Sequence, residues 1–158
     1  MEGTREPVRH NESEAPPSVK VEFAFICDYA DAGVKIAALG IGFDTIMARE
    51  VPVTHPHFHL VAQFRASVAE TGEKELVIRL IDADGGDVMP AVTVKINVSP
   101  PPQGLTETVA RLALGLNGVR FTKFGEYAIH VVLQGQEIIR IPLRVTRAPA
   151  AATSTPGT

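Results

Sequence analysis

Apolar and polar residues alternate in steps of two through most of the chain. Val21, Phe23, Phe25 and Cys27 alternate with Glu22, Ala24, Ile26 and Asp28. Val34, Ile36 and Ala38 follow a turn at Asp31–Gly33. Phe58, Leu60, Ala62, Phe64, Ala66 and Val68 share one phase, against His57, His59, Val61, Gln63, Arg65 and Ser67. Leu76, Ile78 and Leu80 form a third set, and Val92, Val94, Ile96 and Val98 a fourth. Period two with β-branched enrichment is the signature of strands. The separators carry turn chemistry: Thr71–Gly72, Asp84–Gly85–Gly86, Pro100–Pro102 and Gln134–Gly135. About eight strands and no convincing helix predict an antiparallel sandwich or barrel. The stretch Leu105–Leu116 also has helical propensity. Its alternation of Thr108, Ala110, Leu112, Leu114 and Leu116 also fits a strand, and the pattern of its neighbours favours the strand.

Composition narrows the class. A chain of 158 residues is one domain's worth, and 45% hydrophobic content permits a packed core. Thirteen Gly and 12 Pro work against long helices. The net charge of −3 lacks the basic excess of a general nucleic-acid binder, and no apolar run approaches a membrane span. Residues 1–18 are charged and proline-bearing, with no apolar leader, so the expected compartment is the cytosol. Cys27 is the single cysteine, which excludes an intramolecular disulfide and a cysteine-built zinc site. The expected division is a disordered tail at 1–18, a folded domain at 19–146 and a second disordered tail at 147–158.

From Leu114 onward the chain resembles the E-to-F region of immunoglobulin-like domains, on Leu114, Leu116, Val119, Gly125, Tyr127 and Ile129. The usual aspartate place holds Lys123 and the usual cysteine place holds Ile129. The resemblance implies a corner role for Tyr127, its hydroxyl bonding the chain just upstream near Asn117–Arg120. It implies a closing hairpin in which Tyr127, Ile129, Val131 and Leu133 face Ile139, Ile141, Leu143 and Val145. Pro142 suits a last strand at or near a sheet edge. Residues 19–146 also resemble an uncharacterised family of short bacterial cytosolic proteins. The stretches that carry this are FAFICDYA, GVKIAALGIGFDTI, RLIDADGGDVMP and GEY…PLRV. That resemblance implies a small sandwich and no known activity.

Candidate chemistry is sparse. His57 and His59 stand two apart on a strand, so both imidazoles reach one face and could share a metal; His55 lies behind Pro56. DADGGD (Asp82–Asp87) holds Gly86, Asp87 and Thr93 where a calcium loop needs its fifth, sixth and twelfth residues, so it reads as a hairpin turn. GIGFD (Gly40–Asp44) has two glycines but no strand–helix unit for a dinucleotide, and reads as a bend. Cys27 shares the apolar phase and reads as a buried, inert thiol. No Gly-x-Ser-x-Gly or Gly-Lys-Ser/Thr loop is present.

The outward phases are more apolar than water contact requires. Val61, Val77 and Ile81 join His130, Val132 and Ile138 there, beside Arg140 and Arg144. The expected fold is all-β: a single antiparallel immunoglobulin-like β-sandwich of about eight strands. The expected function is a non-enzymatic cytosolic interaction or scaffold module without a cofactor. Its partner is a protein or a second copy of the chain, not nucleic acid or membrane. His130, Val132, Ile138, Arg140 and Arg144 are the expected interface, with Tyr127 and Gly125 structural. The alternative is a metal-binding protein or metal-assisted enzyme centred on His55–His59.

Overall fold

The computed structural model describes residues 19–150. Ten strands follow one another: β1 (Val19–Cys27), β2 (Tyr29–Ala32), β3 (Ile36–Leu39), β4 (Thr45–Ala48), β5 (Val53–Ser67), β6 (Gly72–Asp82), β7 (Val92–Val98), β8 (Glu107–Phe121), β9 (Gly125–Leu133) and β10 (Gln136–Arg147). A single 3-10 turn at Val68–Glu70 links β5 to β6. The strands form a three-stranded sheet in the order β1-β5-β8, a five-stranded sheet in the order β4-β10-β9-β6-β7, and the β2-β3 ribbon. Among the described residues no helix is long and apolar enough to cross a membrane.

The expectation of an all-β chain holds. Among the described residues the strands number ten rather than about eight, and one pair is parallel, β4 against the end of β10. Glu107–Phe121 is a strand, its fifteen residues paired along β5 with Val53↔Phe121 and Ser67↔Glu107 as the ends of the register. Tertiary pairing outweighs the helical propensity of its first half.

The main core lies between the two larger sheets. Phe58, Leu60, Ala62 and Phe64 of β5 and Leu112 and Leu116 of β8 meet Leu76, Ile78 and Leu80 of β6 and Ile129, Val131 and Leu143 of β9 and β10. Val68 leaves this phase, because the 3-10 turn swings it into solvent.

A bulge in β1 changes the expected phase. The pairing with β5 slips between Val21 and Phe23, so Glu22 has no rung of its own. Beyond it Ala24 and Ile26 face the main core, while Phe25 and Cys27 face the other side of the sheet. There they join Val61, Ala30, Ile36, Ala38 and Ala113 in a second, smaller cluster. The β2-β3 ribbon folds over this outer surface and seals it.

The closing hairpin pairs as the alternation requires, with Tyr127↔Leu143, Ile129↔Ile141 and Val131↔Ile139. Gln134 and Gly135 both have positive φ, 51° and 78°, which makes a two-residue turn whose twist matches the strands. Arg144 N–H donates to Asp44 on the β4 side. Pro142, two residues earlier, therefore turns its missing donor to the same side, where β4 has not yet begun. Strand β10 is thus an edge along its first part and is covered only from Arg144 onward. It runs through Arg147, and Ala148 N–H still donates to Ala48 at 2.8 Å, so the expected tail from 147 begins inside the strand. The rest of that tail beyond Ala150, and the whole expected tail 1–18, lie outside the described residues.

Candidate functional site

The outer face of the three-stranded sheet changes character along β5. At one end Arg65 pairs with Glu22 at 2.6 Å, and Gln63 bridges Glu22 and Arg111. In the middle Val61 is fully buried under the ribbon. At the other end stand His59 and His57, both half-buried.

The register with β8 places Asn117 opposite His57 and Gly115 opposite His59. His57 Nδ1 is hydrogen-bonded to Asn117 Oδ1, and His57 Nε2 meets His59 Nδ1 at 2.8 Å. Since Oδ1 only accepts, the proton of His57 sits on Nδ1 and its Nε2 holds a lone pair. His59 then donates from Nδ1. The tautomers of both rings follow from this chain of contacts. Gly115 leaves room for them: a Cβ there would stand 3.1 Å from His57 Cε1 and 3.5 Å from His59 Nε2. The Tyr29 ring meets the His59 ring edge-on at 5.1 Å.

Burial lowers the His59 pKa, and the neighbouring His57 lowers it further. Both effects favour the neutral form of His59. His59 also lines one end of an open groove of about 540 Å³ between the facing edges of β7 and β8, with Tyr29, Lys95, Asn97 and Arg111 on its walls. His55 does not join the pair. Its ring packs on Phe43 and Phe58, and burial lowers its pKa. Among the described residues no group of three or more His, Cys, Asp or Glu side chains converges as a metal cage would.

The other sequence candidates take these places. Cys27 is buried beneath the ribbon, donates weakly to the Tyr29 carbonyl at 3.4 Å, and has its pKa raised by burial and then by Asp28. Asp82–Asp87 forms the turn after β6. Asp82 Oδ1 accepts from the Asp84 and Gly86 amides at 2.9 Å, so the turn's own backbone occupies that carboxylate and lowers its pKa. Gly40 and Gly42 take φ of 68° and 86° in the loop from β3 to β4; a Cβ at Gly40 would collide with the Asp28 carboxylate. Tyr127 is buried, donates to the Lys123 carbonyl at 2.7 Å and accepts from the Lys123 amide at 3.3 Å. Its partner is therefore Lys123 rather than Asn117–Arg120, because Gly125 opens β9 with a φ of 137° and the corner closes within four residues.

The expected strip on the five-stranded sheet is reorganised by a bulge. The register of β10 shifts between Glu137 and Ile139, so Glu137 faces Val132 and Ile138 packs against the main core. Arg140 stands opposite His130, and Arg144 opposite Glu126, which it pairs at 3.0 Å. His130 lies 3.4 Å from Glu137. The strip is thus a mixed polar face with Val132 half-buried in it, not a run of apolar side chains.

The residues that sequence reasoning passed over are Asn117, Gly115 and Tyr29. Sixty positions separate His57 from Asn117. Only the β5–β8 register brings them together, and no local pattern announces it.

A two-sheet all-β frame with a ribbon on one outer face is what these residues build. The chain belongs to a family of unknown function, DUF6941, whose pattern matches residues 22–146. No curated protein matches it. Among solved structures, the Pseudomonas fluorescens alkylpurine DNA glycosylase AlkC bound to DNA containing an abasic site analog is similar at TM-score 0.42 and 13% identity, over 84% of this chain and 31% of that one. The chain thus spans about a third of that protein, and a likeness at this score carries over neither fold nor activity.

Proposed function

We propose that the chain is a non-enzymatic protein-interaction module of the cytosol, built on an immunoglobulin-like sandwich, and that its partner docks on the segment Tyr29–Met47. The frame is supported by the core between two sheets and by the Tyr127–Lys123 corner. The observation that carries the interaction is the exposure of large apolar side chains in this segment: Tyr29 at 56%, Leu39 at 69%, Ile41 at 59% and Met47 at 67%. Tyr29 and Leu39 face each other across the ribbon. The opposite side of the ribbon, with Ala30, Ile36 and Ala38, is already spent on the sheet. The side with Tyr29 and Leu39 also holds Ala37 and Asp31, and its exposed apolar share exceeds what a solvated ribbon requires. The strip of His130, Val132, Arg140 and Arg144 is the weaker interface, since ion pairs already satisfy much of it.

A photo-reactive side chain at Ile41 tests this. It should give a discrete protein adduct in cells, lost on Leu39→Lys, whereas the same group at exposed Thr93 on β7 gives none. No adduct from Ile41, together with a monomeric mass in solution, overturns the proposal. The metal-centred alternative keeps one observation, the contact of His57 with His59.

A further inference from the structure

We propose that His57 and His59 form a site for one divalent late first-row metal ion, copper(II) above all, with Asn117 as the positioning residue and Gly115 as the clearance that admits it. The site does not rest on the docking surface proposed on the ribbon, although Tyr29 borders both.

Two ring nitrogens already meet at one point. The contact at 2.8 Å between His57 Nε2 and His59 Nδ1 is a place where one proton stands between two ring nitrogens. A metal ion can replace that proton. With metal–imidazole bonds of about 2.0 Å, two cis positions of a tetragonal copper(II) ion lie about 2.8 Å apart, which the pair already meets. A tetrahedral zinc(II) ion needs about 3.3 Å, so for zinc the rings must part by roughly half an ångström, which side-chain torsions supply. The proton accounting closes without an external acid or base. His59 passes from the Nδ1–H to the Nε2–H tautomer, the pair stays neutral, and no oxidation occurs.

The surroundings are those of a ligating pair rather than of two idle surface rings. A metal-bound histidine donates its other ring N–H to a carbonyl or carboxylate, which fixes tautomer and orientation. Asn117 Oδ1 already does this for His57. Gly115 sits beneath both rings, where a Cβ would crowd His57 Cε1 at 3.1 Å and touch His59 Nε2 at 3.5 Å. The Tyr29 ring fixes His59 from its edge. His59 lines the groove between β7 and β8, from which water or a ligand atom from another molecule can complete the shell. Two neutral nitrogens favour copper(II), which heads the divalent series for imidazole sites.

The test uses the full-length, tag-free chain titrated with copper(II) and read by electron paramagnetic resonance. One equivalent should bind with the splitting of two nitrogen ligands. His57→Gln or His59→Gln should weaken binding by about tenfold or more, and Asn117→Ala by about tenfold with both ligands retained. His10→Ala should change nothing. Zinc(II) supplies a second measurement that needs no variant: the imidazole nitrogen resonances of His57 and His59 should shift together while those of His130 stay. Copper affinity unchanged in folded His57→Gln/His59→Gln, or zinc shifts confined to other histidines, overturns the proposal.

Discussion

The outer faces of the two main sheets read alike in the sequence and behave differently in the fold. Both carry β-branched residues in the outward phase beside arginine and histidine. On the five-stranded sheet these stay on the surface: Arg79 pairs with Asp87, Arg144 with Glu126 and Lys95 with Glu73, each at 3.0 Å. On the three-stranded sheet Val61 is sealed beneath the β2-β3 ribbon, and the histidine pair sits at the ribbon's margin. An outward apolar residue thus has two outcomes. It is diluted among ion pairs, or it becomes the floor of a second core. Which one follows depends on where a distant short hairpin comes to rest.

The contrast can be broken by substitutions of graded severity. Phe58→Ala, between the sheets, should cost about 3–5 kcal/mol in a denaturant titration, setting the scale of the main core. Val61→Ala should cost about 2 kcal/mol. Its distinguishing mark is local: amide exchange should quicken in Tyr29–Leu39 while β9 and β10 keep their protection. Equal acceleration everywhere would mean that the ribbon and the sheets are one cooperative unit. Tyr127→Phe removes a buried hydroxyl from the Lys123 corner and should cost about 1 kcal/mol, read from the shift in midpoint at constant m-value.

A pH titration separates the faces by electrostatics. His55 and His59 have folded pKa values held below the unfolded value, chiefly by burial. The unfolded chain therefore binds more protons than the folded one as pH falls toward the ordinary histidine value near ~6.5. Their contribution is fully present above that value and is lost as pH drops through it. Stability should fall between pH 7.5 and 5.5, and His55→Gln should flatten the slope. An unchanged slope in that variant would leave the decline to other groups. The smallest effect belongs to the bare face: Arg79→Gln should leave the denaturation midpoint nearly unmoved, since both partners of that pair are solvated.

Much of the fold was legible because alternation is a local signal. The phases of β5, β6, β9 and β10 named Phe58, Leu60, Ile78, Ile129 and Leu143 as core, and Gln134–Gly135 marked its turn by side-chain chemistry alone. The failures are as instructive. Phe23, Phe25 and Cys27 missed the main core because one unpaired residue, Glu22, inverts everything after it. Ile138 left the outer strip for the same reason in β10. A bulge is a matter of which strand lies alongside, and the sequence of the bulged strand does not encode its neighbour.

By itself, then, the sequence determined that this chain is all-β, which residues of β5, β6 and β9 fill its main core, and that His57 and His59 share a face, because period-two alternation acts over neighbours two apart. Only the tertiary structure decided that the β2-β3 ribbon covers Val61, that β4 runs parallel to β10, and that Asn117 and Gly115 meet the histidines. Those are contacts between segments many tens of residues apart. They are set by register and by which exposed surface can still be buried once the two sheets have closed on each other.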